Sequence, residues 1–225
     1  MAIAPPKTRR GENSRAAIFG AALDLFRERG YDATTMRAIA DWAGVSLGSS
    51  YHYFPSKDHL VLELYRHLHE LHRAAVAPVL ARERDLAARL RGVIRAIVMT
   101  CEPYHDVAGA LFSTVADPRS RVNPFHEESK PLRDEVIALY AEVVNGSDVR
   151  LPDDLAAALP RLLWLYQMGI LYFWILDRSP SRLRTLELID ETSELVVQLL
   201  RLANLPVLRR SRQRALKLIA SIVGD

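Results

Sequence analysis

Apolar residues recur at intervals of three and four along almost the whole chain, and no stretch alternates with period two for long enough to predict a strand. The first run is Ile18, Ala21, Ala22, Leu25 and Phe26, a helix that Asn13 or Ser14 can cap and Gly30 stops. Thr34 or Thr35 is placed to cap a second helix reaching Trp42, with Met36, Ile39 and Ala40 inward. Gly44 then supplies a left-handed turn that a Cβ would oppose, and Val45 plugs the gap between helices. Ser46 caps a third helix over about 47–54, which Pro55 closes.

From Ser56 onward every segment reads as helix. The fourth runs from Lys57 through Leu60, Leu64, Leu68, Leu71 and Ala75 to a predicted break or kink at Pro78. A fifth covers about 85–101 and a sixth about 105–116, each ended by an acid-proline pair, Glu102-Pro103 and Asp117-Pro118. A loop over about 119–126 precedes a seventh helix, about 128–144, stopped by Asn145-Gly146. Asp153 caps a long eighth, about 154–176. Ser179 caps a ninth with Pro180 in its first turn, running to about 203, and a short amphipathic tenth covers about 208–223. The predicted fold class is all-α: an N-terminal three-helix unit with a helix-turn-helix in it, then a larger helical body. The predicted division is a flexible basic arm over 1–12, the helix-turn-helix over 13–58 and the body over 59–225.

Composition narrows the classes. An apolar fraction of 49% and a charged fraction of 25% are those of an ordinary globular protein. A single cysteine, Cys101, excludes an intramolecular disulfide framework and fits a reducing compartment, so the expected location is cytoplasmic. No apolar core follows the charges of MAIAPPKTRRG, so a secretory signal is not expected there. The longest apolar run, Leu162 to Leu176 with Gln167 inside it, falls short of the ~20 residues of a spanning helix, so no membrane partner is expected. Net charge is +3, distributed as +2 over 1–58, −4 over 59–200 and +5 over 201–225. Basic ends around an acidic middle suit a body that does not touch a polyanion.

The segment Ile18 to Leu60, IFGAALDLFRERGYDATTMRAIADWAGVSLGSSYHYFPSKDHL, resembles the DNA-binding domain of the TetR family of bacterial transcriptional regulators. The resemblance rests on A-x-x-L-F near the end of the first helix, G-Y-x-A-T-T before the second, I-A-x-x-A-G-V-S-x-G through the turn and Y-x-Y-F-x-S-K after it. It covers about a fifth of the chain closely and the remainder only in the number and order of helices. It implies that Leu47, Gly48, Ser49 and His52 approach base edges, while Tyr51, Tyr53, Lys57, Thr35, Arg37 and Ser46 hold backbone phosphates. A recognition helix needs small neighbours at the groove floor, which this surface has, and phosphate contacts set register while base contacts set sequence. Two departures stand out. Position 47 is often basic in the family and is Leu47 here; the residue before the first tyrosine is commonly apolar and is Ser50 here. Phe54 is read as core. Thr35 and Ser46 serve as caps in any case. Lys7, Arg9 and Arg10 are placed either as a minor-groove arm or as a plain tail.

The resemblance further implies a homodimer through helices at about 154–176 and 180–203, a small-molecule effector bound in the body, and a palindromic double-stranded DNA operator. The eighth helix is apolar on nearly every side, which predicts burial all round. At about 100° per residue, Trp164, Gln167, Met168 and Leu171 share one face, read as lining a ligand site for its amide, thioether and indole. Leu162, Tyr166, Gly169 and Phe173 share the opposite face, read as the dimer interface. Tyr104, His105 and Phe112 are further ligand candidates, and Gln167 in so apolar a setting needs a hydrogen-bond partner.

No metal site or cofactor is expected: His67 and His69 point about 160° apart on a helix, and His67, His69 and His72 are read as surface residues. No catalytic residues are expected either, since H-E-x-x-H, G-x-S-x-G, a P-loop and G-x-G-x-x-G are missing from the sequence. The expected protein is a ligand-released homodimeric repressor; the alternative is a helical DNA-binding or interaction protein that no ligand gates.

Overall fold

The computed structural model describes the chain from Arg9 to Val223, with side chains from Gly11 to Leu218. Ten α-helices follow one another among the described residues: α1 Arg9–Ala33, α2 Met36–Trp42, α3 Leu47–Tyr53, α4 Lys57–Arg82, α5 Leu86–Cys101, α6 His105–Ala116, α7 Lys130–Asn145, α8 Asp153–Leu176, α9 Leu183–Ala203 and α10 Arg209–Val223. The α1 helix is interrupted where expected, because Gly30 is in the left-handed region at φ 77°. Its first turn starts inside the stretch read as an arm: Glu12 lies in that turn, where an acid favours a helix N-terminus. Lys7 falls outside the described residues.

Two compact units emerge, and they do not follow the predicted boundary at residue 58. The first comprises the chain through His69 together with Cys101–Arg133; the second comprises Glu70–Thr100 and the chain from Asp134 on. In the first unit α6 packs along α1. Val107 and Leu111 of α6, with Val122 of the loop after it, join Ile18, Leu25, Phe26, Ile39, Phe54 and Leu60 in one core. A three-helix domain alone is too small to bury enough surface, and α6 supplies what α1 lacks. The loop is itself tied down. Asn123 donates to the carbonyls of Val115 (2.9 Å) and Asp117 (3.3 Å), and Tyr65 donates to Val122 O at 3.2 Å.

In the second unit Pro78 does not break α4, which continues to Arg82. The backbone bond that Pro78 cannot donate would have ended on Ala74 O, in an exposed stretch open to solvent, and the turn beyond is held by packing. Gly92 of α5 lies so close to Val79 that a Cβ there would come within 2.6 Å of its Cγ1. Arg89, almost fully buried, closes the joint. Its guanidinium donates to Leu80 O (2.9 Å) and Glu83 O (2.7 Å) at the end of α4, and to Glu142 O (2.8 Å) and Val143 O (2.8 Å) near the end of α7.

The α8–α9 connection is a 3-10 turn, Pro180–Arg182, in which Ser181 (φ 51°) and Arg182 (φ 54°) are both left-handed. The predicted cap acts from outside it: Ser179 Oγ accepts from Arg184 N at 3.1 Å, and buried Asp177 accepts from Thr185 N at 3.0 Å and Thr185 Oγ1 at 2.7 Å. The histidines also differ from expectation. His72 is buried, with Nε2 2.9 Å from Val93 O, and His67 sits edge-on between Phe19 and Tyr104. Helical periodicity places them on a face but does not say what covers it.

Candidate nucleic-acid interface

The second and third helices are set by local chemistry. Thr35 Oγ1 accepts from Ala38 N at 3.1 Å and caps α2, while Thr34 is buried and donates to Gly30 O at 2.7 Å, tying the end of α1. Gly44 takes φ 67°, Val45 N bonds Ala40 O at 3.0 Å, and Ser46 Oγ caps α3 by accepting from Ser49 N at 3.1 Å.

With α3 fixed in this way, its residues divide. Gly48, Tyr51 and His52 are exposed, Ser49 is half-buried, and Leu47 and Tyr53 lean partly on the core. Thr35, Arg37 and Ser46 are exposed on the approach to α3. Phe54 is fully buried, with the Arg15 guanidinium 5.1 Å from its ring centroid. Ser50, the second of the two departures, is also fully buried, and its hydroxyl finds no hydrogen-bond partner among the described residues.

Lys57 is the residue whose surroundings the motif did not foretell. Its ammonium is half-buried, donates to Tyr31 O at 2.6 Å and lies 4.1 Å from the Tyr31 ring centroid. The Tyr31 hydroxyl in turn donates to Asp58. Burial lowers the Lys57 pKa against the opposing pull of Asp32 and Asp58; burial and the Asp58 bond both raise that of Tyr31. Tyr31 and Asp58 are thus part of the site's frame, readable only as the G-Y and K-D ends of the motif. Trp42, 54% exposed at the end of α2, is a further large side chain beside the turn.

The ligand candidates are split between the units. Tyr104, His105 and Phe112 belong to the first and are half-buried. Trp164, Gln167, Met168 and Leu171 are on α8 in the second; the first two are buried and the others half-buried. Gln167 Oε1 accepts from Tyr140 Oη of α7 at 2.8 Å, so the amide has the partner its setting demands. Burial, with a smaller contribution from Tyr166, pushes the Tyr140 pKa well up.

On the opposite face Leu162 and Tyr166 are half-buried, and Tyr166 Oη shares a hydrogen bond with Thr192 Oγ1 of α9 at 2.5 Å. Gly169 and Phe173 are exposed, and Tyr172 (53%) and Leu176 (54%) join them. Within one chain α8 is therefore not buried all round: one side is core, and the other is half-covered at Leu162 and Tyr166 and bare from Gly169 on, at Tyr172, Phe173 and Leu176. By length and composition this 24-residue helix also passes as a bilayer span. Its core side, with Trp164, Gln167 and Trp174 packed in the unit, is that of a globular protein's central helix.

A capped recognition-type helix after a glycine turn, carried on a small helical unit and followed by a larger helical one, defines a helix-turn-helix protein of all-α architecture. Residues 18–64 match the family described as bacterial regulatory proteins, tetR family, and residues 89–213 match the tetracyclin repressor-like C-terminal domain. The chain belongs to the TetR family. Among curated relatives, the HTH-type transcriptional repressor KstR2 of Mycobacterium tuberculosis is 37% identical over 98 residues, 44% of this chain and 46% of that protein. The chain thus aligns with about half the length of that relative. The HTH-type transcriptional regulator BetI of Burkholderia cenocepacia is 30% identical over 165 residues, 71% of this chain and 84% of BetI. Among solved structures, Thermus thermophilus FadR, a TetR-family repressor in complex with lauroyl-CoA, superposes with a TM-score of 0.57 at 26% identity. That match covers 80% of this chain and 92% of FadR.

Proposed function

We propose that the protein is a homodimeric transcriptional repressor of the cytoplasm that binds a palindromic operator and is released by a small, largely apolar ligand. The observation that carries the reading is α3. Capped by Ser46, it turns Gly48, Tyr51 and His52 outward, with the phosphate-type side chains Thr35, Arg37 and Ser46 beside it. Leu47, Gly48, Ser49 and His52 read bases; Tyr51, Tyr53 and Lys57 complete the phosphate contacts. Two such helices on a two-fold axis read half-sites about 34 Å apart.

Dimerisation runs through α8 and α9, supported by the exposed apolar side chains Tyr172, Phe173 and Leu176 on one and Leu195, Leu199 and Leu202 on the other. The ligand-facing residues of α8 are Trp164, Gln167, Met168 and Leu171. An apolar ligand is favoured by this lining and by the likeness to FadR, whose structure holds lauroyl-CoA. The protein catalyses no reaction and needs no cofactor for this role.

The test is a gel shift with DNA flanking the protein's own coding region, titrated with salt, and repeated with lauroyl-CoA and with any molecule that mass spectrometry finds co-purified. Sequence-preferring binding that weakens steeply with salt is expected. A dimer with no such binding overturns the DNA reading; unchanged operator affinity at saturating ligand overturns ligand release alone.

A further inference from the structure

Charge is segregated along the last two helices. Residues 183–198 carry a net −3 and residues 199–218 a net +6, with no acid in the second stretch. On α9, Leu188, Glu191, Leu195, Leu199 and Leu202 fall on one face at three- and four-residue spacing, and Leu195, Leu199 and Leu202 are each at least half exposed. The bare apolar strip does not stop with the helix: Leu205 is 46% and Val207 83% exposed in the joint to α10.

That joint is held in place. Asn204 Nδ2 donates to Arg150 O at 3.0 Å, and Arg212 donates to both carboxylate oxygens of Asp154 at 3.1 Å and to Ala203 O at 2.7 Å. With Arg212 turned inward, Arg210 and Arg214 stand on the opposite side of α10 and are exposed. Neither makes an ion pair among the described residues. On α9, Asp190 is engaged by Arg91 and Arg95 and Glu194 by Arg91, which leaves exposed Glu187 and Glu191 without one among the described residues.

We propose that the joint and α10 form a basic arm that seats on the acidic N-terminal half of α9 in a second copy of this chain, Arg210 and Arg214 facing Glu187 and Glu191. A two-fold axis across the α9 leucine strip lays two copies antiparallel, which brings each basic C-terminal end to the other's acidic half. The parallel arrangement sets like charge against like. Leu205 and Val207 then continue the apolar seam beyond α9, and the ionic contacts form its rim. The inference rests on the α8–α9 dimer and adds to it a grip that selects this chain as its own partner.

Sedimentation velocity of the full chain at low and high salt tests it. Arg210→Glu with Arg214→Glu is expected to weaken the dimer by about twentyfold, since rim pairs are individually weak but the symmetry repeats each one. Adding Glu187→Arg and Glu191→Arg is expected to bring the dimer back to within about threefold of wild type. If the reversed arm prevents folding, Arg210→Gln with Arg214→Gln serves instead and is expected to remove most of the salt dependence of the wild-type dimer. A dimer indifferent to these substitutions, or a reversal that the α9 exchange does not rescue, overturns the arm and leaves the α8–α9 dimer standing. A monomeric wild-type chain overturns both.

Discussion

The ammonium of Lys57 sits 4.1 Å from the centroid of the Tyr31 ring and 2.6 Å from the Tyr31 carbonyl oxygen. The first residue of α4 is thereby fastened to the end of α1, just past its Gly30 interruption, and Tyr31 answers with a hydrogen bond to Asp58.

Lys57→Met is therefore expected to lower folding stability by about 1–2 kcal/mol, through the lost cation–π contact and charged hydrogen bond. Urea unfolding measures it. If Lys57 also holds a phosphate, the slope of log affinity against log salt falls by about one contact at the same time. Stability lost with the slope intact leaves Lys57 as a positioning residue only.

Ser50→Ala is expected to stabilise the protein by about 1 kcal/mol, because the hydroxyl is fully buried and finds no hydrogen-bond partner among the described residues. A thermal melt reads this directly. A lower melting temperature would mean the hydroxyl is satisfied, for example by water.

Asp177 governs an acid limb. Burial works to raise its pKa, but hydrogen bonds from Thr185 and Ser179 outweigh that and hold the carboxyl well below the usual range. A depressed folded-state pKa stabilises the fold above the ordinary aspartate value of about 3.9, and that contribution fades as pH falls below it. Asp177→Asn is expected to be less stable near neutrality and to show a shallower stability loss on acidification below about pH 4. Parallel acid-unfolding curves for the two proteins would remove Asp177 from this role.

His52→Ala is expected to change which operator sequence is preferred while leaving nonspecific affinity and its salt dependence nearly unchanged, as befits an exposed α3 side chain assigned to a base edge. Binding to a randomised operator pool with both proteins measures it. A uniform loss across sequences would assign His52 to phosphate.

The helix-turn-helix was legible because its determinants are local. Gly44, Thr35 and Ser46 act within four residues of themselves, and all three serve as their residue types predict. The apolar periods likewise marked every helix of the body. Periodicity names a face but not its neighbour, so the packing of α6 on α1, the pairing of Gln167 with Tyr140 and the burial of His72 were out of its reach. Pro78 shows the same limit from the other side: proline penalises the interior of a helix, and tertiary packing at Gly92 and Arg89 overrides the penalty. Lys57 was placed by its motif as a phosphate contact, and only the folded chain reveals that Tyr31 already holds it.

The Arg89 joint has a consequence for how the second unit meets changing conditions. Four carbonyl oxygens from the ends of α4 and α7 converge on a single guanidinium, with no carboxylate among its hydrogen-bond acceptors. Burial and the neighbouring Arg84 draw its pKa down, yet from so high a starting point that the cation persists at any pH the fold survives. Carbonyls do not titrate, and a buried contact is screened little by salt. This knot between two helix ends is thus blind to the acidity and ionic strength that tune the protein's surface pairs. Gly146 is bound into the same arrangement, for a Cβ there would collide with that guanidinium. A methyl group there would force the guanidinium to shift.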